Sequence, residues 1–190
     1  MANSISNLLT MKGTDAQVAK VRNFIKGSNG ESISFESFIP MPKNLKGNRV
    51  VEVNPISIPD WMVWRIKNWG TKWDAEPVTD EVVDAPNRII FNTPSTTPVE
   101  AVATLSSMFP EVTFNVIFSD ENEETYCGEY TFTNGKMTNK VWYDVYDSNS
   151  DDISIDQVME YYFRTHEYAR GDWRKTEDGE WVNINDEDCD

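Results

Sequence analysis

Two spacings of apolar side chains alternate along the chain, one helical and one extended. Behind Thr14-Asp15-Ala16-Gln17, Val18, Val21 and Ile25 share one helical face, and Gly27 closes the segment. Ser57-Ile58-Pro59-Asp60 opens a second predicted helix, with Pro59 in its first turn and Gly70 as its stop. Thr97-Pro98-Val99-Glu100 opens a third that runs to Phe109-Pro110, and Ser154-Ile155-Asp156-Gln157 opens the last, with Gly171 just past its end. Each start pairs a Ser or Thr N-cap with Gln, Asp or Glu three residues on, the capping-box signature. Residues 5–11, 32–38, 87–93 and 112–118 instead alternate or cluster β-branched and aromatic side chains, as strands do. Residues 126–145 read as a hairpin turned at Asn134-Gly135, a pair that supplies the positive φ angles of a type I′ turn.

The predicted order is β-α-β, an inserted helical segment, a second β-α-β, a hairpin and a terminal helix. It specifies an α+β fold: a ferredoxin-like antiparallel sheet with helices on one face. We expect one domain over residues 1–176, with the helical insertion at about 40–86, and an acidic tail over 177–190.

Composition narrows the function classes. The 190 residues are 39% hydrophobic and 12% aromatic, enough for a packed core. No apolar run approaches the roughly 18 residues of a membrane span, and Met1–Gly13 lacks the pattern of a secretory signal. Cys127 and Cys189 are too few for a disulfide framework or a four-thiolate zinc site, so the chain is expected in the cytoplasm. Net charge is −15, and its distribution says more than its total. Residues 1–119 carry 12 acidic and 11 basic side chains, a net of −1, whereas residues 120–190 carry 20 and 6, a net of −14. A field of that sign repels nucleic-acid phosphate and anionic lipid and attracts basic partners. Asp120, Glu121, Glu123, Glu124, Asp151, Asp152, Asp186, Glu187 and Asp188 are the candidate acidic interaction surface.

Catalytic constellations are lacking. His166 is the sole histidine and falls on the apolar arc of the terminal helix, with Val158, Met159, Tyr162 and Phe163, where a packed neutral imidazole is expected rather than a base. Asp147, Asn149 and Asp151 match the first half of a calcium loop, but Asp152 stands where the loop needs Gly and Val158 where it needs Glu. Glycine-rich phosphate loops and the aromatic RNA-binding signature are absent. No catalytic residue, metal ligand or cofactor is assigned.

Residues 61–74 hold four tryptophans. On a helical wheel Trp61, Met62, Ile66 and Trp69 form a core-facing stripe. Trp64 falls outside it, and must pack under the inserted loops, stack on a cation or face a partner. Trp64, Asn68, Trp69, Lys72, Trp73 and Asp74 are therefore the candidate binding residues.

At Asn68–Asp74, together with 35–42 and 7–13, the sequence resembles the YubB-like group of phage and plasmid accessory proteins that contain a ferredoxin-like domain. That pattern has Trp-Asn-Trp-Gly-x-Lys-Trp; here Ile66 and Lys67 separate Arg65 from Asn68, and the leading tryptophan is displaced to Trp64. The resemblance covers about residues 5–145 and implies a mobile-element origin and the fold, with no catalytic residues to carry over. The expectation is a non-enzymatic accessory protein in the host cytoplasm that binds a basic host or defence-system protein through its acidic surface, as a nucleic-acid mimic or inhibitor, and does not bind nucleic acid itself. The alternative is a small-ligand or nucleotide binder with a Trp-lined pocket at the insertion.

Overall fold

The computed structural model describes residues 3–45, 50–53, 56–78, 85–121 and 125–185. Glu123, Glu124, Asp186, Glu187 and Asp188 lie outside the described residues. In chain order the elements are β1 (Ser4–Lys12), α1 (Asp15–Ile25), α2 (Phe35–Phe38), β2 (Val50–Val53), β3 (Ile56–Pro59), α3 (Asp60–Trp69), β4 (Glu76–Pro77), β5 (Arg88–Pro94), α4 (Val99–Met108), β6 (Thr113–Asp120), β7 (Tyr126–Thr133), β8 (Lys136–Asp144), α5 (Ile155–Thr165), β9 (Trp173–Lys175) and β10 (Trp181–Asn183).

The main sheet runs β4-β5-β1-β6-β7-β8, every neighbouring pair antiparallel. β5 and β6 flank β1 and are joined across it by α4, which is the split β-α-β of a ferredoxin-like domain. β1 and β4 flank β5 in the same way, so the insertion lies between α1 and the short strand that completes the first unit. The β7–β8 hairpin, turned at Asn134 (φ 51°) and Gly135 (φ 73°), extends the sheet beyond β6.

Alternation along the strands splits the core in two. Ile5, Leu9 and Met11 of β1, Ile89 and Phe91 of β5 and Phe114, Val116 and Phe118 of β6 pack with Val18, Val21 and Ile25 of α1 and Val102 and Leu105 of α4. Leu8, Ile90 and Ile117 point the other way, where Tyr161 of α5 packs on them. The terminal helix thus closes the second face of the sheet. Thr165 Oγ1 lies 2.6 Å from Ser119 Oγ, Ser6 donates to the Thr165 carbonyl, and Arg88 pairs with Glu167. On its outer side Met159, Tyr162 and Phe163 gather Ala169, Trp173 and Trp181 into a satellite core.

Several boundaries differ from expectation. Residues 32–38 are not a strand: Phe35–Phe38 form one helical turn, burying Phe35 and Phe38 together. The capping boxes at Thr14 and Ser154 form as predicted. Ser57 instead lies in β3, opposite Glu52, and α3 starts after Pro59. Thr97 spends its hydroxyl on Asn7 Oδ1 (2.8 Å), leaving Pro98 as the N-cap of α4. The terminal helix ends at Thr165, and Gly171 falls inside a following 3-10 helix, Glu167–Asp172. Part of the expected tail is ordered, since Trp181–Asn183 pairs with Trp173–Lys175. Among the described residues no helix is long and apolar enough to cross a membrane.

Candidate functional site

The tryptophan segment is set by one backbone feature. Gly70 ends α3 at φ 82°, in the left-handed region, and its N–H donates to the Ile66 carbonyl at 3.0 Å. A Cβ there would be strained at that φ and would displace the exposed Glu100 carboxylate, whose Oε2 it would meet at 2.2 Å, so glycine is needed for the conformation. The chain then turns back along β5, held by Thr96 Oγ1 donating to the Gly70 carbonyl (2.7 Å) and Thr71 Oγ1 to the Pro94 carbonyl (3.4 Å).

This turn divides the candidate binding residues. Trp69 is fully buried, donates its indole N–H to the Ile39 carbonyl at 3.0 Å, and lies 5.9 Å from the rings of Phe35 and Trp64. Trp64, the outlier of the helical wheel, is half-buried and packs edge-on against Trp69 at the margin of the main core. Asn68 Nδ2 donates to the Trp64 carbonyl one turn back (2.7 Å). Asp74 accepts from Ser34 Oγ (2.7 Å), Phe35 N (2.5 Å), Glu36 N (3.3 Å) and Ala75 N (2.8 Å), so its carboxylate caps α2 from forty residues away. Trp64, Trp69 and Asp74 build the insertion onto the domain, and Asn68 braces α3 from within.

Lys72 and Trp73 stand apart. Trp73 is 43% exposed and lies 5.0 Å from Trp61, their planes tilted by 32°. Trp61 was expected in the core; it is half-buried in this outer pair because the turn at Gly70 brings Trp73 back over the helix. Ile66, expected on the same stripe, is 48% exposed. Arg65 lies against all three rings, its guanidinium carbon 5.2 Å from Trp61, 4.7 Å from Trp69 and 5.5 Å from Trp73. Lys72 Nζ lies 5.4 Å from Trp73. Trp61, Arg65 and Trp69 sit at i, i+4 and i+8, so this ladder was present in the sequence, in a spacing that the apolar count passed over.

The acidic candidates also divide. Asp120 is 2% exposed, contrary to its place in an interaction surface: β6 turns its side chain inward, where the Thr125 hydroxyl donates to it. Asp151 is exposed, but its carboxylate accepts from the Trp142 N–H (2.8 Å) and ties the loop after β8 to that strand. Glu121 and Asp152 are exposed, and Glu177, Asp178 and Glu180 lie exposed in and beside the β9–β10 turn.

Nucleophilic chemistry finds little support. Burial, with the Asp120 charge a lesser cause, pushes the Cys127 thiol up to about 12, so it is protonated near neutrality. His166 stacks on Tyr162 at 4.4 Å and lies 3.0 Å from Thr165 Oγ1, as a packed helix-end imidazole. Asp147 closes a local turn by accepting from the Asn149 backbone and side chain at 2.9 and 2.8 Å. Among the described residues no group of three or more His, Cys, Asp or Glu could hold a metal ion.

No curated protein and no solved structure matches the chain. Residues 68–160, just under half of it, match a family model described as a ferredoxin-like domain in Api92-like protein. The match runs from Asn68 to Glu160, so it takes in the Asn68–Asp74 turn, the β5-α4-β6 unit and the added hairpin, and it agrees with the α+β sheet described above.

Proposed function

We propose that this chain is a non-enzymatic accessory protein of a phage or plasmid, and that it binds a basic host or defence-system protein through the acidic surface of its C-terminal half. The observation that carries this reading is where the charge goes. Of the net of −14 over residues 120–190, residues 120–154 carry −7, α5, the 3-10 turn and the β9–β10 hairpin, all folded onto one face of the sheet, carry −3, and residues 186–190 carry −4. The opposite face is layered with α1 and α4, from a half of the chain that is nearly neutral. Acidic charge concentrated in one half of the chain attracts a basic partner and raises its association rate. The α5 layer covers the sheet face on which a ferredoxin-like domain could otherwise stack bases, which favours a protein partner over nucleic acid. The mobile-element part of the reading rests on the resemblance at Asn68–Asp74.

The test is capture from host lysate with the intact chain and with D152N/E177Q/D178N/E180Q, whose altered side chains are exposed. A basic protein retained by the intact chain, lost by the variant and released by raised salt is the expected result. Equal capture by both forms overturns the reading.

A further inference from the structure

Arg65 presents an unusual balance of charge and surroundings. Its side chain is half-buried, its Nε is desolvated without a hydrogen-bond partner, and among the described residues no carboxylate pairs with its guanidinium. Three indoles at 4.7 to 5.5 Å take the place of an acceptor. Aromatic rings satisfy the faces of a guanidinium but leave its in-plane N–H groups without acceptors, and those donors are the fork that recognises phosphate. The buried Nε lies out of a ligand's reach, so the two terminal amino groups of Arg65 are the donors an anion meets.

We propose that Trp61, Arg65, Lys72 and Trp73 form a site for a free nucleotide, with its phosphate on Arg65 and Lys72 and its base stacked on Trp73. Trp73 has the exposure a stacking platform needs, 43%, while Trp61 supports it from behind at 5.0 Å. Lys72, its Nζ over the Trp73 ring at 5.4 Å on a flexible stem, adds a point charge at the platform. One ligand must satisfy a planar aromatic surface and a phosphate fork a few ångströms apart, which a nucleotide does and a peptide carboxylate does not. A single station, on a chain of net charge −15, favours a free nucleotide over a polynucleotide, whose affinity depends on a track of cations. The site differs from the expected pocket, because Trp64 and Trp69 are spent on the core. It is also independent of the acidic surface.

Isothermal titration of the intact chain against ATP and GTP, against adenosine and inorganic phosphate, and against a short oligodeoxythymidylate tests this. We expect the nucleotides to bind, with adenosine and phosphate each weaker by about tenfold or more. Arg65→Met, which keeps the apolar stem against the rings, is expected to weaken ATP by about tenfold, and Trp73→Leu by several-fold, with melting temperatures unchanged. If Arg65→Met fails to fold, Trp73→Leu alone decides, since Trp73 is 43% exposed and lies outside the buried core. D152N/E177Q/D178N/E180Q leaves nucleotide binding intact if the site is correct, whatever its effect on protein capture. Silence with every nucleotide at millimolar concentration overturns the proposal, as does undiminished binding by the Trp73 variant. Tighter binding of the oligonucleotide than of ATP overturns the free-nucleotide assignment.

Discussion

Asp74 shows how one side chain can hold a segment that has little regular structure of its own. A single helical turn such as Phe35–Phe38 cannot persist by itself, because nucleating a helix fixes several residues for one hydrogen bond. Asp74 supplies acceptors for Ser34, Phe35 and Glu36 at once and so orders the turn from outside, which places Phe35 and Phe38 against Trp69 and the sheet. Asp74→Ala is expected to cost about 1–3 kcal/mol, the range for losing a charged cap whose donors are partly buried. Urea unfolding followed by circular dichroism measures it. A loss below about 0.5 kcal/mol, the level of an ordinary surface substitution, overturns the capping role.

At the scale of elements, the two capping boxes at Thr14 and Ser154 were legible because each is closed within four residues. Ser57 and Thr97 carry the same signature, and tertiary partners took them: a strand pairing in one case, the buried Asn7 in the other. The alternation of residues 32–38 also spaces Phe35 and Phe38 for a helical turn, and the choice between the two was made by Asp74, which no local pattern could reveal. The candidate site was legible to a similar degree. Trp69 was placed in the core by its stripe and Trp64 took the internal packing open to it, whereas Trp61 left the core for the outer pair because the chain reversal at Gly70 is invisible on a helical wheel. The covering layer offers an element-scale test. Asp156, in the first turn of α5, accepts from Lys175 Nζ at 2.6 and 2.7 Å and from the Trp181 indole at 2.9 Å, and so pins the β9–β10 hairpin to the helix. The Lys175 hydrogen bond, then that of Trp181, holds its carboxyl below the ordinary 3.8. A depressed carboxyl stabilises the folded contact above the unfolded value and loses that contribution as pH falls through the folded one. The Trp181 indole N–H resonance is therefore expected to keep its hairpin shift down to about pH 4 and to move only below it. Asp156→Asn is expected to move that resonance at neutral pH and to speed exchange of the Thr176 amide, which bonds Glu180 across the hairpin. An Asn variant with an unchanged spectrum would remove Asp156 as the pin.

For the whole molecule, α5 and the residues after it form a layer that the main sheet requires on one side and that turns exposed acidic side chains to solvent on the other. The apolar contact is short: Tyr161 over Leu8, Ile90 and Ile117, backed by Val158, which is 3% exposed. The satellite core stiffens the layer from without. Met159, fully buried there, contributes to docking without touching the sheet core, and Met159→Ala is expected to cost about 2–5 kcal/mol. The expected signature is loosening of α5 before β1, β5 and β6, read by hydrogen exchange. Simultaneous exchange of helix and sheet at lower global stability would show that layer and sheet unfold as one unit.

The order of the layers along the chain has a consequence for biosynthesis. Ser6, in β1, meets Thr165, 159 residues later, so β1 to β8 emerge from the ribosome before the helix that shields Leu8, Ile90 and Ile117. At about 5–20 residues per second, the 21 residues from the end of β8 at Asp144 to Thr165 take on the order of seconds to appear. During that interval the sheet leaves Leu8, Ile90 and Ile117 uncovered, so the nascent chain is most open to aggregation just before its last helix arrives.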